Sequence, residues 1–254
     1  MRIVACYKCV PENEQIEVRT DQSLNLKNAE WSVGQYDLNA VEAGMQLVET
    51  AGGEVSVLTA AGDIVDNSKL KKAILSRGPA QMYGIRMTAL DSADAYVVGT
   101  ALKAGVEKIG NVDLVLCGEG SSDIYAQQTG SMLGAMLGWN TLNAVSTVRE
   151  ENGHLVVERN LENEIEILEV ELPAVLSVTS SINKPRIPKL KEIMAAGKKP
   201  STIWSGEELG ICTEAVTETV SILAPKQAER KQIIFEGAAD ETIEEVCKHI
   251  RKVL

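Results

Sequence analysis

The chain has 254 residues, 44% of them apolar, enough to bury a core in one large α/β domain or two small ones. A net charge of −11, with the acids spread along the chain and no basic stripe, argues against nucleic-acid binding. Five cysteines are an odd number that does not suit a disulfide framework; no signal-peptide pattern follows Met1 and no apolar run reaches the roughly 18–20 residues of a membrane helix, so a cytoplasmic protein without membrane insertion is expected.

Ile3-Val4-Ala5-Cys6 reads as a first strand, closed before Pro11, and a short hairpin is expected within 16–26. A helix opens at Asp37, with Leu38, Val41, Met45 and Val48 on one face and Glu42 and Glu49 turned away; Gly52-Gly53 ends it. A buried strand follows at 55–60, a helix at 67–76 and a short strand at 82–85. A long helix is predicted over 91–110, with Ala95, Val98, Leu102, Val106 and Ile109 along one face. Asp113-Leu114-Val115-Leu116-Cys117 is the clearest strand, and a helix is expected from about Ala126. This alternation predicts right-handed crossovers and a parallel sheet.

Beyond residue 138 the pattern changes. A β-hairpin is expected over 154–172, with a bulge at Leu168 where the alternation slips by one, and an apolar strand at 174–179. Residues 183–200 carry three prolines and six lysines or arginines. A weakly patterned arm, about 201–238, leads to a terminal helix over 240–253 with Ile243, Val246, Ile250 and Val253 on one face. The fold class expected is α/β: a Rossmann-like, mostly parallel sheet with helices on both faces, an added β-hairpin and a C-terminal arm. Residues 1–200 form the nucleotide-binding domain and 201–254 the arm and helix.

Strand, loop and helix at 113–138 carry the strongest chemical signal. The loop Gly118-Glu119-Gly120-Ser121-Ser122-Asp123 follows a strand's carboxyl end, where open parallel sheets collect ligands. Free amides and the helix dipole favour an anion there, and small residues let it approach; the same glycines also serve turns and packing, and both readings stay open. The loop lacks the Gly-Lys-Ser/Thr of a P-loop, and Gly-x-Gly-x-x-Gly fails at Asp123. Cys6-Tyr7-Lys8-Cys9 has redox spacing but no helix behind it, and zinc needs a second pair. Neither His154 nor His249 has a nucleophile placed beside it, and the acidic run at 158–171 fits a solvated sheet face. In the segment around Asn183-Lys184-Pro185-Arg186, Leu190, Ile193 and Met194 either dock a partner or pack inward.

In their order these residues resemble the beta subunit of electron-transfer flavoproteins, the bacterial fatty-acid and carnitine-pathway members most. The likeness runs from the opening Ile-Val-Ala-Cys-Tyr-Lys-Cys-Val-Pro-Glu through Asp37-Leu-Asn-Ala-Val-Glu-Ala and Val112-Asp-Leu-Val-Leu-Cys-Gly, with Asp123 and Gln128-Thr-Gly downstream. It continues in Val157-Glu-Arg159-x-x-Glu162, Pro173-Ala-Val-Leu-Ser and Asn183-x-Pro185-Arg186. The resemblance implies a heterodimer with an alpha subunit that carries most contacts to a redox-active FAD, and AMP or a second FAD in this chain. It implies an electron carrier without catalytic residues of its own, serving an acyl-CoA dehydrogenase-type enzyme, and an arm that wraps the partner.

The resemblance places the nucleotide among Cys6, Gly34, Gln35, Tyr36, Asp37 and Ala61. It adds Gly118, Glu119, Gly120, Ser121, Ser122 and Asp123, then Ala126, Gln127, Gln128 and Thr129. Leu190, with Ile193 and Met194, becomes the tip that captures the dehydrogenase. Gly34-Gln35 stands where many members have Asn-Pro, Ile124-Tyr125 departs from the family near Asp123, and Asn163 replaces an acid or Gly. Three rivals are an electron-bifurcating complex in which this chain holds a working FAD, a stand-alone nucleotide-binding hydrolase or sensor, and a purely structural interaction module.

Overall fold

A computed structural model describes residues 1–212, 214–226 and 232–252. The elements in chain order begin with β1 (Arg2–Cys6), β2 (Cys9–Pro11), β3 (Glu17–Val18), β4 (Leu24–Asn25), β5 (Trp31–Val33), α1 (Gln35–Ala51) and β6 (Glu54–Ala61). Then come α2 (Ser68–Leu75), β7 (Gln81–Arg86), α3 (Ala95–Ile109), β8 (Leu114–Gly118), α4 (Thr129–Leu137), β9 (Asn140–Glu151), β10 (His154–Asn160) and β11 (Ile165–Val170). β12 (Ala174–Val178), α5 (Leu190–Ala196), β13 (Ser201–Ser205) and α6 (Asp240–Ile250) complete the chain.

The main sheet has nine strands in the order β11-β10-β9-β12-β8-β1-β6-β7-β13. From β9 to β13 every neighbouring pair is parallel, and β10 and β11 are added antiparallel at one edge. The sheet is therefore Rossmann-like, as its alternating pattern implies. The chain builds outward from β1 to β6 and β7, then returns through β8 on the other side of β1. The gap between β1 and β8 is thus the topological switch point.

Alternate residues of the central strands feed two cores. Ile3, Leu114, Leu116 and Leu176 pack with α1 and α2 residues such as Val41, Leu47 and Ile74. Val4, Val115 and Val175 pack with Val97, Leu102 and Val106 of α3 and Leu133 of α4 on the opposite face. Both glycines of α4 are demanded by that packing. A Cβ on Gly130 would sit 2.1 Å from Ser177 Oγ, and one on Gly134 2.0 Å from Thr141 Oγ1. Gly138 meets nothing; it caps the helix in the left-handed conformation at φ 67°.

Several expectations need correction. β9 is a twelve-residue strand that the pattern does not reveal, because Asn140, Asn143, Ser146 and Thr147 break up its apolar residues. The β10–β11 register runs unbroken past Leu168. Ile165 and Ile167 face outward, 65% and 64% exposed, while Glu166 turns toward Arg159 and bonds it at 2.8 Å. The irregularity lies instead in β9, where the pairing slips opposite Glu158 and Arg159 and Ala144 adopts φ 55°. Helix α3 starts at Ala95, where Asp94 Oδ1 accepts the Val97 N–H at 2.9 Å, and a separate 3₁₀ turn occupies Thr88–Ser92. Helix α4 starts at Thr129 rather than near Ala126.

Ser201–Ser205, placed in the arm by its weak patterning, is the edge strand of the sheet. The chain divides into two compact units, one of Met1–Glu17 with Asn25–Ser221 and one of Val18–Leu24 with Ile222–Leu254. In the second unit Ser23 bridges Leu223, Phe235 lies 5.5 Å from the His249 ring, and α6 leaves Ile243 and Ile250 half exposed. Val253 of the expected helical face lies outside the described residues.

Candidate functional site

The carboxyl ends of β6, β1 and β8 lie side by side and bring Ala61, Cys6 and Gly118 to one edge. The start of α1, Gly34 to Asp37, joins them through β5 and the turn after β1. Gly34 N donates to Lys8 O at 2.9 Å, and a Cβ at Gly34 would lie 2.7 Å from Asp37 Oδ2. Asp37 is 8% exposed and accepts the Lys8 N–H at 2.7 Å and a main-chain bond from Gly118. One carboxylate thus pins the ends of both strands at the switch point. Burial raises it to about 7, against the pull of those hydrogen bonds and of the Lys8 charge.

The loop after β8 is partly occupied by the protein itself. The reading from sequence puts an anion on the amides immediately past Cys117. In the folded chain the first of these, Gly118, bonds Asp37, and the second, Glu119, donates to Val178 O at 2.9 Å. The available donors shift to the start of α4, where Gln128 supplies no side-chain cap. Gly118 and Gly120 have no room for a side chain: a Cβ would meet the Tyr36 backbone at 2.7 Å and the Tyr125 ring at 2.6 Å. Tyr36 and Tyr125 stand 5.3 Å apart, ring to ring. Tyr125 and Gln127 hold φ values of 52° and 56°, a region that side chains rarely adopt and that concentrates at functional loops.

Lys8 is the cation of this edge. Its Nζ donates to Asp123 Oδ2 at 2.6 Å. Burial would raise the Asp123 carboxyl, but the Lys8 ammonium and the Ser121 hydroxyl outweigh it and hold the group below its ordinary value. Gln35 is exposed and Ser121 and Ser122 are half-buried, while Ala126, Gln127 and Gln128 are open to solvent ahead of Thr129. A cleft of 510 Å³ adjoins this edge at Gln35 and Ser122 and runs along Val10, Trp31, Leu70 and Arg77.

Cys6 is 6% exposed, and its thiol is pushed well up, chiefly by a hydrogen bond with Cys117 and then by burial. Burial pushes the Cys9 thiol up to about 12. Both stay protonated near neutrality, so the Cys-x-x-Cys spacing carries no ready thiolate. Among the described residues no group of three His, Cys, Asp or Glu is arranged to hold a metal, and no helix is long and apolar enough to cross a membrane.

Leu190, Ile193 and Met194 lie on α5, not at the carboxyl edge of β6, β1 and β8. They are 74%, 43% and 71% exposed, so the inward-packing alternative fails for them. Ile187, three residues before α5, is exposed as well. Lys8, Glu42 and Arg186 are the structurally important residues that sequence reasoning undervalued. Only the family pattern around Asn183-x-Pro185-Arg186 hints at the last.

The family model described as "Electron transfer flavoprotein domain" matches residues 24–209, well over half of the 254.

Proposed function

The chain belongs to the electron transfer flavoprotein domain family, and from that premise we propose that it is the beta subunit of a heterodimeric electron carrier. Members of the family carry electrons and are not classical enzymes. In this reading the chain pairs with an alpha subunit and exchanges electrons between an acyl-CoA dehydrogenase-type enzyme and a second redox partner. The arm beyond Ser221, with its exposed apolar residues, covers the alpha chain.

The observation that carries the nucleotide part is the edge at the switch point, where Lys8, Asp123 and the uncapped start of α4 surround a glycine-lined loop. The chemistry of the donors fits a phosphate: main-chain amides ahead of a helix and one ammonium that can exchange Asp123 for an anion. AMP is the ligand proposed, its phosphate at 127–129, with Gly34 to Asp37 and Ala61 bordering the remainder. A flavin held mainly by the alpha chain supplies one- and two-electron chemistry when bound. This chain orders the nucleotide loop, keeps Asp37 buried beneath it and presents α5 to the partner.

The test is an inventory of nucleotides released by denaturing the complex after native purification. One AMP per chain beside one FAD per complex is expected; finding no adenine nucleotide sinks the reading. The 510 Å³ cleft adjoining Gln35 and Ser122 gives room for a second reading, FAD in this chain in a bifurcating complex. Two FAD per heterodimer, with reduction by NADH, would favour it. For docking, Leu190→Ala should raise the apparent KM for the reduced dehydrogenase about thirtyfold, the ~2 kcal/mol of a typical anchor, with flavin content unchanged. An unchanged KM argues against the docking tip.

A further inference from the structure

The segment between β12 and α5 is tied to α1 twice. Asn39 Nδ2 donates to Asn183 O at 2.9 Å, and Asn183 Nδ2 returns a bond to Asn39 O at 3.0 Å. Further along, Arg186 Nε reaches Glu42 Oε2 at 2.7 Å and its Nη2 reaches Glu42 Oε1 at 3.0 Å. The Arg186 main-chain N–H adds a third bond to Glu42 Oε2 at 3.1 Å, and Nη1 donates to Glu49 Oε1 at 2.7 Å. The Glu42 side chain is only 7% exposed, so the pair is shielded on its carboxylate side. A guanidinium fork across both oxygens fixes direction as well as distance, which a lysine ammonium does not.

Beyond this clamp the apolar side chains of the tip face solvent, and packing resumes only at Ala196, the last residue of α5, which is buried in the core. Ile187 is 86% exposed, Leu190 74% and Met194 71%. Pro185 and Pro188 stiffen the chain on either side of the exposed start. With these side chains in solvent, the tip takes its orientation from its two ends, Arg186 on α1 and Ala196 in the core. Binding through a segment already ordered avoids the entropy of ordering it on contact.

We propose that Arg186 is a positioning residue for electron exchange: clamped on Glu42 and Glu49 of α1, it fixes the orientation in which residues 187–194 meet the redox partner. This rests on the docking reading of Leu190 and adds the device that holds the tip. Loss of the clamp weakens the encounter without touching the flavin, so its signature is a rise in KM at constant kcat.

The test uses Arg186→Gln and the milder Arg186→Lys in the intact complex, with Leu190→Ala as the reference. Two quantities are read: hydrogen–deuterium exchange of the amides at 183–196, and KM and kcat for electron uptake from an acyl-CoA dehydrogenase reduced by its own acyl-CoA. Arg186→Gln should speed exchange and raise KM, each about tenfold, at unchanged kcat and nucleotide content. Arg186→Lys, which keeps the charge and loses the fork, should fall between Arg186→Gln and the unaltered complex. If Arg186→Gln does not fold, Arg186→Lys carries both readouts. A KM that rises in Leu190→Ala but in neither Arg186 variant overturns the clamp and leaves the docking tip standing. Faster exchange with KM unmoved makes Arg186 structural only and overturns the inference too. A KM unmoved in Leu190→Ala removes the docking reading, and this inference with it.

Discussion

Asp37 and Glu42 are buried carboxylates on the same helix, 8% and 6% exposed, and they titrate in opposite directions. Asp37 meets main-chain amides and only the distant pull of Lys8, so desolvation prevails and lifts it to about 7. Glu42 is opposed by burial as well, but the hydrogen bonds and charge of Arg186 outweigh that cost and hold it below its ordinary value. The difference is one guanidinium. Burial sets the penalty for a charge, and the partner at the carboxylate decides whether the charge survives. The two carboxylates serve different surfaces: Asp37 lies under the sheet edge at the switch point, and Glu42 holds the segment leading to the exposed tip.

The harshest way to break the contrast is Arg186→Gln, which leaves Glu42 buried without its cation. It should lower unfolding stability by about 3 kcal/mol, the low end for an orphaned buried charge because a third of Arg186 is open to solvent. Denaturant unfolding at pH 7 checks this, and NMR titration of Glu42 in the variant should show its pKa rising toward the behaviour of Asp37.

Asp37 sharpens the contrast through pH. Its folded pKa lies above that of an unfolded Asp, about 3.9, so the folded state retains a proton that the unfolded state has lost. Its contribution is full in acid and is lost as pH climbs from about 4 to about 7, by at most ~1.4 kcal/mol per pH unit. Glu42 runs the other way: its contribution is present above the unfolded pKa of about 4.3 and is lost as pH falls through its lower folded value. Denaturation midpoints across this range should show Asp37→Asn flattening the upper slope and Glu42→Gln the acid limb. Identical pH profiles in the parent and Asp37→Asn would rule out the buried-acid account.

Lys8→Ala should have the smallest effect on stability, about 0.5 kcal/mol, because the Lys8 side chain is 45% exposed in its pair with Asp123. Its larger consequence should be on bound nucleotide, which the released-nucleotide inventory measures. Retention of a full complement of AMP would move the phosphate away from Lys8.

Periodicity and composition alone determined the parallel core. Val55 to Ala60 and Leu114 to Cys117 are short apolar runs, and α1 repeats its apolar residues at helical spacing, because burial on a sheet or against one leaves a local imprint on sequence. The glycines of α4 carry the same imprint, because Gly130 and Gly134 pack against the sheet; the apolar residues of α5, being exposed, carry none, and sequence alone leaves their facing open. Tertiary structure alone decided where polar groups end up. Glu42 reads as a solvent residue until Arg186, 144 positions away, covers it. The Gly118 and Glu119 amides look free until Asp37 and Val178 take them. β9 could not be read because its half-buried residues need less apolar content, and Glu166 turned inward because Arg159 on the neighbouring strand was there to receive it. Hydrophobic burial is a property of a segment and its spacing; satisfying a buried charge or hydrogen bond depends on a second group whose position only the folded chain supplies.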